Sequence, residues 1–289
     1  MRYSFKNVKY FVPNVAESWL LTAIFLLVGS LGVVALVSVL YKAGLPTLPQ
    51  SVIYLLSMVP VILWILARGR RLSEQSGEYV AVDSPSFGPL GPVWTLILLL
   101  LVLISLSYVV EPLYSWIPMS DRMKELFEKT FGESGSLDLF LAASVLAPLC
   151  EEFLCRGTIL RGLLCHTTPV KAILLSAFIF AFIHMNPWQS IPAFIVGCFI
   201  GWVYYRTHSF WACVFIHFAN NTFSQIMGLL LPDAEVDDTF FSILPHTTYY
   251  ILYGVLFAVT VVALYILNKK LTKKDEETVS FEVHTDSQE

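Results

Sequence analysis

Two glutamates and an arginine lie close together inside a long apolar stretch of this sequence. Glu151, Glu152 and Arg156 are contained in the apolar run at residues 137–165. An ionised side chain at the centre of a bilayer costs roughly 2.5 to 3.5 kcal/mol on insertion scales. Three such side chains within one short stretch require partners, water or a chemical function, so the stretch differs from an ordinary membrane anchor.

The spacing of these residues predicts which of them pair. In an α-helix Glu152 and Arg156 are one turn apart on the same face, whereas Glu151 is rotated away by about 100°. We therefore expect an ion pair between Glu152 and Arg156, and an acid at Glu151 without a cationic partner. The alternative is that the charges only lock two helices together and have no catalytic role.

Polar side chains also interrupt two later apolar segments. His184 follows Phe180 by one helical turn, and His217 precedes Asn221 by one turn on the same face. Because unsatisfied polar groups in lipid cost several kcal/mol, we expect these segments and the one containing Glu151 to turn their polar groups toward one shared cavity.

The chemistry of these groups is hydrolytic. An acid, two imidazoles and an amide are the parts needed to activate water and to stabilise an oxyanion. The set Glu151, His184 and His217 can equally hold a zinc ion, since two histidines and a carboxylate are a familiar hydrolytic ligand set. The residues by themselves leave both alternatives open. Cys155 lies in the charged stretch, but an apolar helix disfavours a thiolate, so we expect a buried hydrophobe and not a nucleophile.

The rest of the chain must hold these groups in a membrane. Of the 289 residues, 56% are hydrophobic and 14% are charged, which excludes an ordinary soluble domain. No surface suited to nucleic acid is visible. We predict an all-α polytopic membrane protein, a bundle of about eight transmembrane helices with a buried polar catalytic cavity. The predicted segments are residues 17–41, 51–67, 93–117, 137–164, 169–186, 190–206, 209–231 and 247–268.

Basic residues predict the orientation of this bundle, because short loops rich in lysine and arginine stay in the cytoplasm. They follow the second, sixth and eighth segments and flank the turn after the fourth, which places both termini in the cytoplasm of a protein of the inner (plasma) membrane. These residues are Arg68, Arg70, Arg71, Arg161, Lys171, Arg206, Lys269, Lys270, Lys273 and Lys274.

The predicted organisation has four parts. Residues 1–136 contain the first three segments, a flexible cytoplasmic loop at 68–92 and a short helix at 121–129, which is either an amphipathic surface helix or an ordinary connector. Residues 137–231 form the catalytic core, 247–268 the last transmembrane helix, and 269–289 a disordered cytoplasmic tail.

Three motifs in this order resemble those of the CPBP family, which comprises the type 2 CAAX prenyl proteases and their bacterial "Abi" or bacteriocin-processing relatives. The resemblance covers about residues 137–231 and implies a fold of eight membrane helices. The motifs are Glu-Glu-x-x-x-Arg at Glu151, Glu152 and Arg156, Phe-x-x-x-His at Phe180 and His184, and His-x-x-x-Asn at His217 and Asn221.

The resemblance implies an intramembrane endopeptidase that cuts a peptide bond near the membrane surface, in a membrane-associated protein or peptide delivered through the lipid bilayer. It makes Glu151 and His184 the pair that activates water, and His217 and Asn221 the groups that stabilise the oxyanion. Glu152, Arg156 and Phe180 become structural support.

Zinc stays open as a cofactor. We favour a metal-free site, because an oxyanion role for His217 beside Asn221 leaves only Glu151 and His184, and two protein ligands hold zinc poorly.

Two other functions fit the same buried charges. A proton-coupled transporter also uses Glu, Arg and His clusters, although the sequence contains no visible repeated half or discontinuous helix pair. A non-catalytic immunity or scaffold protein would keep the fold and bind a partner without cutting it. The natural substrate, prenylated or not, is not specified by these residues.

Overall fold

The computed structural model describes residues 5–131, 136–231, 233–271 and 284–285. Within these ranges nearly all regular structure is helical, and the protein is an all-α polytopic membrane protein. The helices are α1 (Val15–Lys42), α2 (Gln50–Ser73), α3 (Gly91–Val109), α4 (Asp121–Phe131), α5 (137–166), α6 (Pro169–Phe182), α7 (Pro187–Thr207), α8 (Phe210–Leu230), α9 (Phe240–Ile243) and α10 (His246–Lys270). Short 3₁₀ turns lie at Phe5–Tyr10, Gly88–Leu90 and Glu111–Leu113.

Each of the eight predicted segments corresponds to one helix. In the part of the chain that the structure describes, four stretches are long and apolar enough to cross a membrane: Val15–Lys42, Gln50–Ser73, Gly88–Leu113 and His246–Lys270. Helix α6, with 14 residues, is about 21 Å long at 1.5 Å per residue and does not span a 30 Å hydrocarbon layer unaided. The membrane fold is therefore confirmed, whereas the number of eight spans stays a prediction.

The boundary between the fifth and sixth segments differs from the prediction. Helix α6 ends at Phe182, and Met185 adopts a left-handed conformation with φ of 56° that breaks the helical path. Asn186 then caps α7, because its side chain accepts a hydrogen bond from the backbone of Gln189. Residues 187–189, which the prediction left between the two segments, thus form the first turn of α7.

Helices α1 and α5 change their winding along their length. In α5, wide π-helical turns at Phe140–Leu146 and Cys155–Leu160 flank the α-helical turns at Ala147–Leu154. Single wide turns of this kind are uncommon in proteins and often occur at functional sites. The stretch that contains Glu151 and Glu152 lies between the two.

Several of the basic residues lie at one end of the bundle, where the even-numbered predicted segments end. Arg206 at the end of α7 donates to Asn268 and to the carbonyl of Leu271 after α10. Arg68 at the end of α2 lies 3.6 Å from Glu17 at the start of α1. These contacts agree with the prediction that the even-numbered segments end on the same side of the membrane.

Contacts at the other end join the remaining termini of the helices. Asp138 at the start of α5 accepts hydrogen bonds from the first residues of α2. Trp188 at the start of α7 donates to the carbonyl of Ile117 beyond α3. In addition, Lys124 of α4 pairs at 2.7 Å with Asp237 in the loop after α8. Helix α4 is the short helix that was predicted at 121–129. The ion pair joins it to the loop after α8.

The predicted orientation used Arg161 as a basic residue beside the turn after the fourth segment. In the structure it is not a surface residue. Its side chain is fully buried, and its guanidinium donates to backbone carbonyls from three parts of the chain. The acceptors are Val8, Lys9, Phe11, Val80 and Gly157. These five carbonyls accept all five N–H groups of the guanidinium, so Arg161 fastens the N-terminal segment to α5, and it has no acidic partner among the described residues.

The loop predicted to be flexible is packed against the helices. Helix α2 continues to Ser73, and Val80 is buried. Asp83 accepts a hydrogen bond from the backbone of Phe210 at the start of α8, and Ser86 donates its backbone N–H to Thr207. These backbone bonds give the loop partners in the bundle, and its predicted flexibility stays a prediction.

Two residues of the predicted disordered tail have a regular pairing. Strand β1 (Glu78–Tyr79) pairs antiparallel with β2 (His284–Thr285), with Glu78 opposite Thr285 and Tyr79 opposite His284. Residues 269–270 belong to α10. The remaining part of that prediction, at 272–283 and 286–289, lies outside the described residues.

Candidate active site

The predicted ion pair of α5 is confirmed. Arg156 Nη1 lies 2.8 Å from Glu152 Oε1, and both side chains are 0% exposed. The second guanidinium nitrogen donates at 2.9 Å to the carbonyl of Gly197 in α7. The guanidinium also lies over the ring of Phe180 in α6, 4.7 Å from its centroid. Arg156 therefore joins α5, α6 and α7 at one point.

Glu152 has a second partner that the sequence did not indicate. His217 of α8 places Nδ1 2.8 Å from the same carboxylate oxygen, Oε1. Because a carboxylate accepts hydrogen bonds, this contact assigns the proton to Nδ1 and leaves Nε2 free for other partners. Glu152 thus orients an imidazole in addition to holding Arg156.

Glu151 lies beside this imidazole. Its side chain is 12% exposed, and its Oε2 lies 3.8 Å from His217 Nε2, which is longer than a hydrogen bond. Its other oxygen, Oε1, accepts a hydrogen bond of 3.0 Å from the hydroxyl of Tyr54 in α2. In the described part of the chain Glu151 makes no ion pair with a lysine or an arginine, as the helical spacing led us to expect.

His184 lies in the turn that follows α6, two residues beyond Phe182. Its Nδ1 lies 2.8 Å from the carbonyl of Phe180, so this nitrogen carries the proton and Nε2 is the free one. The rings of His184 and His217 both lie edge-on to Phe180, with centroid distances of 5.2 and 5.3 Å. Phe180 therefore contacts both imidazoles, whereas no hydrogen bond joins His184 to Glu151 within the described residues.

Asn221 faces α5 one turn beyond His217. Its Nδ2 donates at 2.7 Å to the carbonyl of Ala143, in the first wide turn of α5, and its oxygen accepts from Asn220. An amide nitrogen has two hydrogens, so one N–H of Asn221 remains for another acceptor. The structure thus brings Glu151, Glu152, Arg156 and His217 into direct contact or near contact, and it places His184 and Asn221 at the margins of this cluster.

Sequence reasoning missed three participants. Tyr54 is a single tyrosine within an apolar helix, and its polar hydroxyl was the one available signal. Gly197 and Ala143 take part through their backbone carbonyls, for which the sequence carries no signal.

Glu151, His184 and His217 were the possible ligands if zinc is present. Among the residues that the structure describes, no group of three or more His, Cys, Asp or Glu side chains is arranged to hold a metal ion. Two of these residues, Glu151 and His217, are neighbours, and His184 packs on the same Phe180 ring as His217. We therefore derive no step through a metal.

The fold and this cluster define an integral membrane protein with acid, imidazole and amide groups gathered in its helical core. Residues 133–223 match the family model described as "Type II CAAX prenyl endopeptidase Rce1-like". This match confirms, for that segment, the resemblance predicted from the three motifs. The family is one of endopeptidases, which are hydrolases that act on proteins at the membrane.

A second comparison found a bacterial relative. The chain is similar to the "UPF0177 protein YxdF" of Lactococcus lactis subsp. lactis (strain IL1403), with 32% identity over 103 residues. The similar part covers 35% of this chain and 53% of that protein, so the match spans about half the length of the curated relative. No solved structure matches the chain.

Proposed function

We propose that this protein is an intramembrane endopeptidase that hydrolyses a peptide bond of a membrane-associated protein or peptide with water activated by Glu151. The observation that carries the proposal is the environment of Glu151. This acid is nearly buried, has no Lys or Arg partner among the described residues, and lies between a phenol and an imidazole in the segment that matches the endopeptidase family. An acidic side chain in the helical core without a basic partner there is best explained by a chemical role.

In the first step of the proposed reaction, the carboxylate of Glu151 takes a proton from a water molecule. The remaining hydroxide attacks the carbonyl carbon of the scissile peptide bond and forms a tetrahedral oxyanion. The free Nε2 of His184 accepts a hydrogen bond from the same water and so orients its lone pair. When the tetrahedral species collapses, Glu151 returns its proton to the leaving amine, and the products are a carboxylic acid and an amine.

In this proposal the oxyanion receives hydrogen bonds from α8. Asn221 has one N–H that makes no hydrogen bond to the described residues. His217 donates from Nδ1 to Glu152, and in its doubly protonated form it also donates from Nε2 to the oxyanion. Glu152 and Arg156 act by fixing the position of His217 and of the helix that carries Glu151.

We also propose a location in the inner (plasma) membrane with both termini in the cytoplasm. The support is the contact of Arg206 and Arg68 with neighbouring termini at one end of the bundle, where cytoplasmic basic residues are expected.

The test is a cleavage assay on purified protein in lipid vesicles with a panel of membrane-tethered peptides, some prenylated and some not. We expect the wild type to cut at least one peptide, and Glu151→Gln to abolish turnover while the protein still folds. The control is Glu125→Gln, which removes an exposed carboxylate paired with Lys129 on α4 and should leave the rate unchanged. Full activity in Glu151→Gln would show that another group activates water, and cleavage of no peptide by the wild type would favour a non-catalytic scaffold.

A further inference from the structure

Tyr54 brings a group to the site from outside the segment that matches the endopeptidase family. It lies on α2, whereas the match covers residues 133–223. Its hydroxyl donates at 3.0 Å to Oε1 of Glu151, and this is the contact that the second apolar segment makes with the proposed catalytic acid. None of the three motifs includes this residue.

Helix α2 is held in register on both sides of Tyr54. Before it, Asp138 of α5 accepts hydrogen bonds from the backbone of Gln50 at 2.7 Å and from the backbone and hydroxyl of Ser51. After it, α1 packs so closely on Ser57 that a Cβ added to Gly29 would overlap the Ser57 carbonyl oxygen. The two fixed points are one turn or less from Tyr54, so the direction of its side chain is determined by the packing of three helices.

The hydrogen bond has a consequence for the geometry of the acid. A carboxylate can rotate about its last bond and present either oxygen to a reactant. With Oε1 held by the phenol of Tyr54, Oε2 is the oxygen that faces Nε2 of His217, at 3.8 Å. A base that is fixed in one orientation accepts a proton from water without first losing rotational freedom, which is the basis of rate enhancement by positioning.

We propose that Tyr54 is a positioning residue that holds the carboxylate of Glu151 in the orientation in which Oε2 takes the proton of the attacking water. This proposal rests on the proposed endopeptidase function. It assigns part of the reaction geometry to α2, so that a fragment limited to residues 133–223 lacks a component of the site.

The test compares Tyr54→Phe with Tyr108→Phe. Both substitutions remove one phenol hydroxyl and keep the ring within a membrane helix, but Tyr108 donates at 3.2 Å to the carbonyl of Tyr249 in α10, away from the proposed active site. Since a hydrogen bond to a charged group is lost, we expect kcat of Tyr54→Phe to fall about 10- to 100-fold. We expect KM to stay within about twofold of the wild type, because Tyr54 acts on the base and not on the bound peptide.

Rates are normalised to the monodisperse folded fraction, and thermal unfolding is measured for both variants. A merely structural role predicts loss of folded protein with unchanged kcat per folded molecule, and that result would overturn the proposal. A Tyr54→Phe protein with kcat within twofold of Tyr108→Phe would also overturn it while leaving the endopeptidase function intact. A wild type that cuts no peptide would overturn both the endopeptidase function and the role of Tyr54, so the two failures are distinguishable.

Discussion

Replacing Arg156 with alanine tests whether the buried ion pair holds the site together. Arg156 is fully buried and makes three kinds of contact: the ion pair with Glu152, the hydrogen bond to the Gly197 carbonyl, and the stacking over Phe180. Arg156→Ala removes all three and leaves the carboxylate of Glu152 inside the protein with His217 as its remaining donor.

The expected loss of stability follows from these contacts. Removing one partner of a buried ion pair costs about 3 to 5 kcal/mol, because the other charge stays buried without compensation. The remaining hydrogen bond from His217 moves the value toward the lower end of this range. The lost cation–π contact with Phe180, worth about 2 kcal/mol when desolvated, moves it upward. We therefore expect a decrease of about 4 kcal/mol in the free energy of unfolding, which is a large fraction of the total stability of a typical domain.

The assay is unfolding of detergent-solubilised protein by added SDS, followed by intrinsic tryptophan fluorescence. Lys129→Ala is the matched control. It breaks an ion pair with Glu125 that has the same one-turn spacing and a distance of 2.7 Å, but both side chains are exposed. Because exposed pairs contribute little, this variant should unfold with the wild type.

A second variant separates the charge effect from the loss of volume. In Glu152→Gln with Arg156→Ala, the uncompensated carboxylate is gone, so part of the lost stability should return relative to Arg156→Ala alone. The reasoning is refuted if Arg156→Ala unfolds together with Lys129→Ala and the wild type. It is also refuted if the double variant is no more stable than the single one, since the buried charge would then not be the cause.

Two further predictions concern the metal and the close packing of helices. The proposed enzyme should keep its activity after exhaustive chelation and contain less than stoichiometric zinc by elemental analysis; activity that is lost on chelation and restored by zinc would contradict the proposed mechanism. Gly162→Ala should lower the thermal unfolding temperature, because a Cβ there would overlap the backbone of Pro13. Gly32→Ala should leave the unfolding temperature unchanged, because a Cβ at that position meets no atom within 4 Å. Equal unfolding temperatures in the two glycine variants would show that the N-terminal segment does not pack on α5 in this way.

Contacts within one helix could be predicted from the sequence. The pair of Glu152 and Arg156 follows from one-turn spacing, and the same helical geometry rotates Glu151 away from Arg156. The membrane class follows from apolar runs that exceed the thickness of the hydrocarbon layer. All of these depend on distances along the chain, which helical geometry converts directly into distances in space.

Contacts between helices were decided by the tertiary structure. The bond between Tyr54 and Glu151 joins residues 97 apart in sequence, that of His217 and Glu152 joins residues 65 apart, and that of Asn221 and Ala143 joins residues 78 apart. The burial of Arg161 among backbone carbonyls and the hydrogen bond from α8 to the loop after α2 belong to the same class.

The physical reason is the composition of the helices. A helical period of 3.6 residues determines which side chains share a face, and the cost of polar groups in lipid determines that a polar face turns inward. It does not determine which helix that face meets, because the apolar surfaces of these helices are chemically similar and pack by shape. Close approach at Gly29, the cap supplied by Asp138 and the wide turns of α5 select the neighbours. The sequence by itself therefore specified the groups that can perform the chemistry, and the packing of the helices decided that Tyr54 and His217 are the groups that contact the two glutamates.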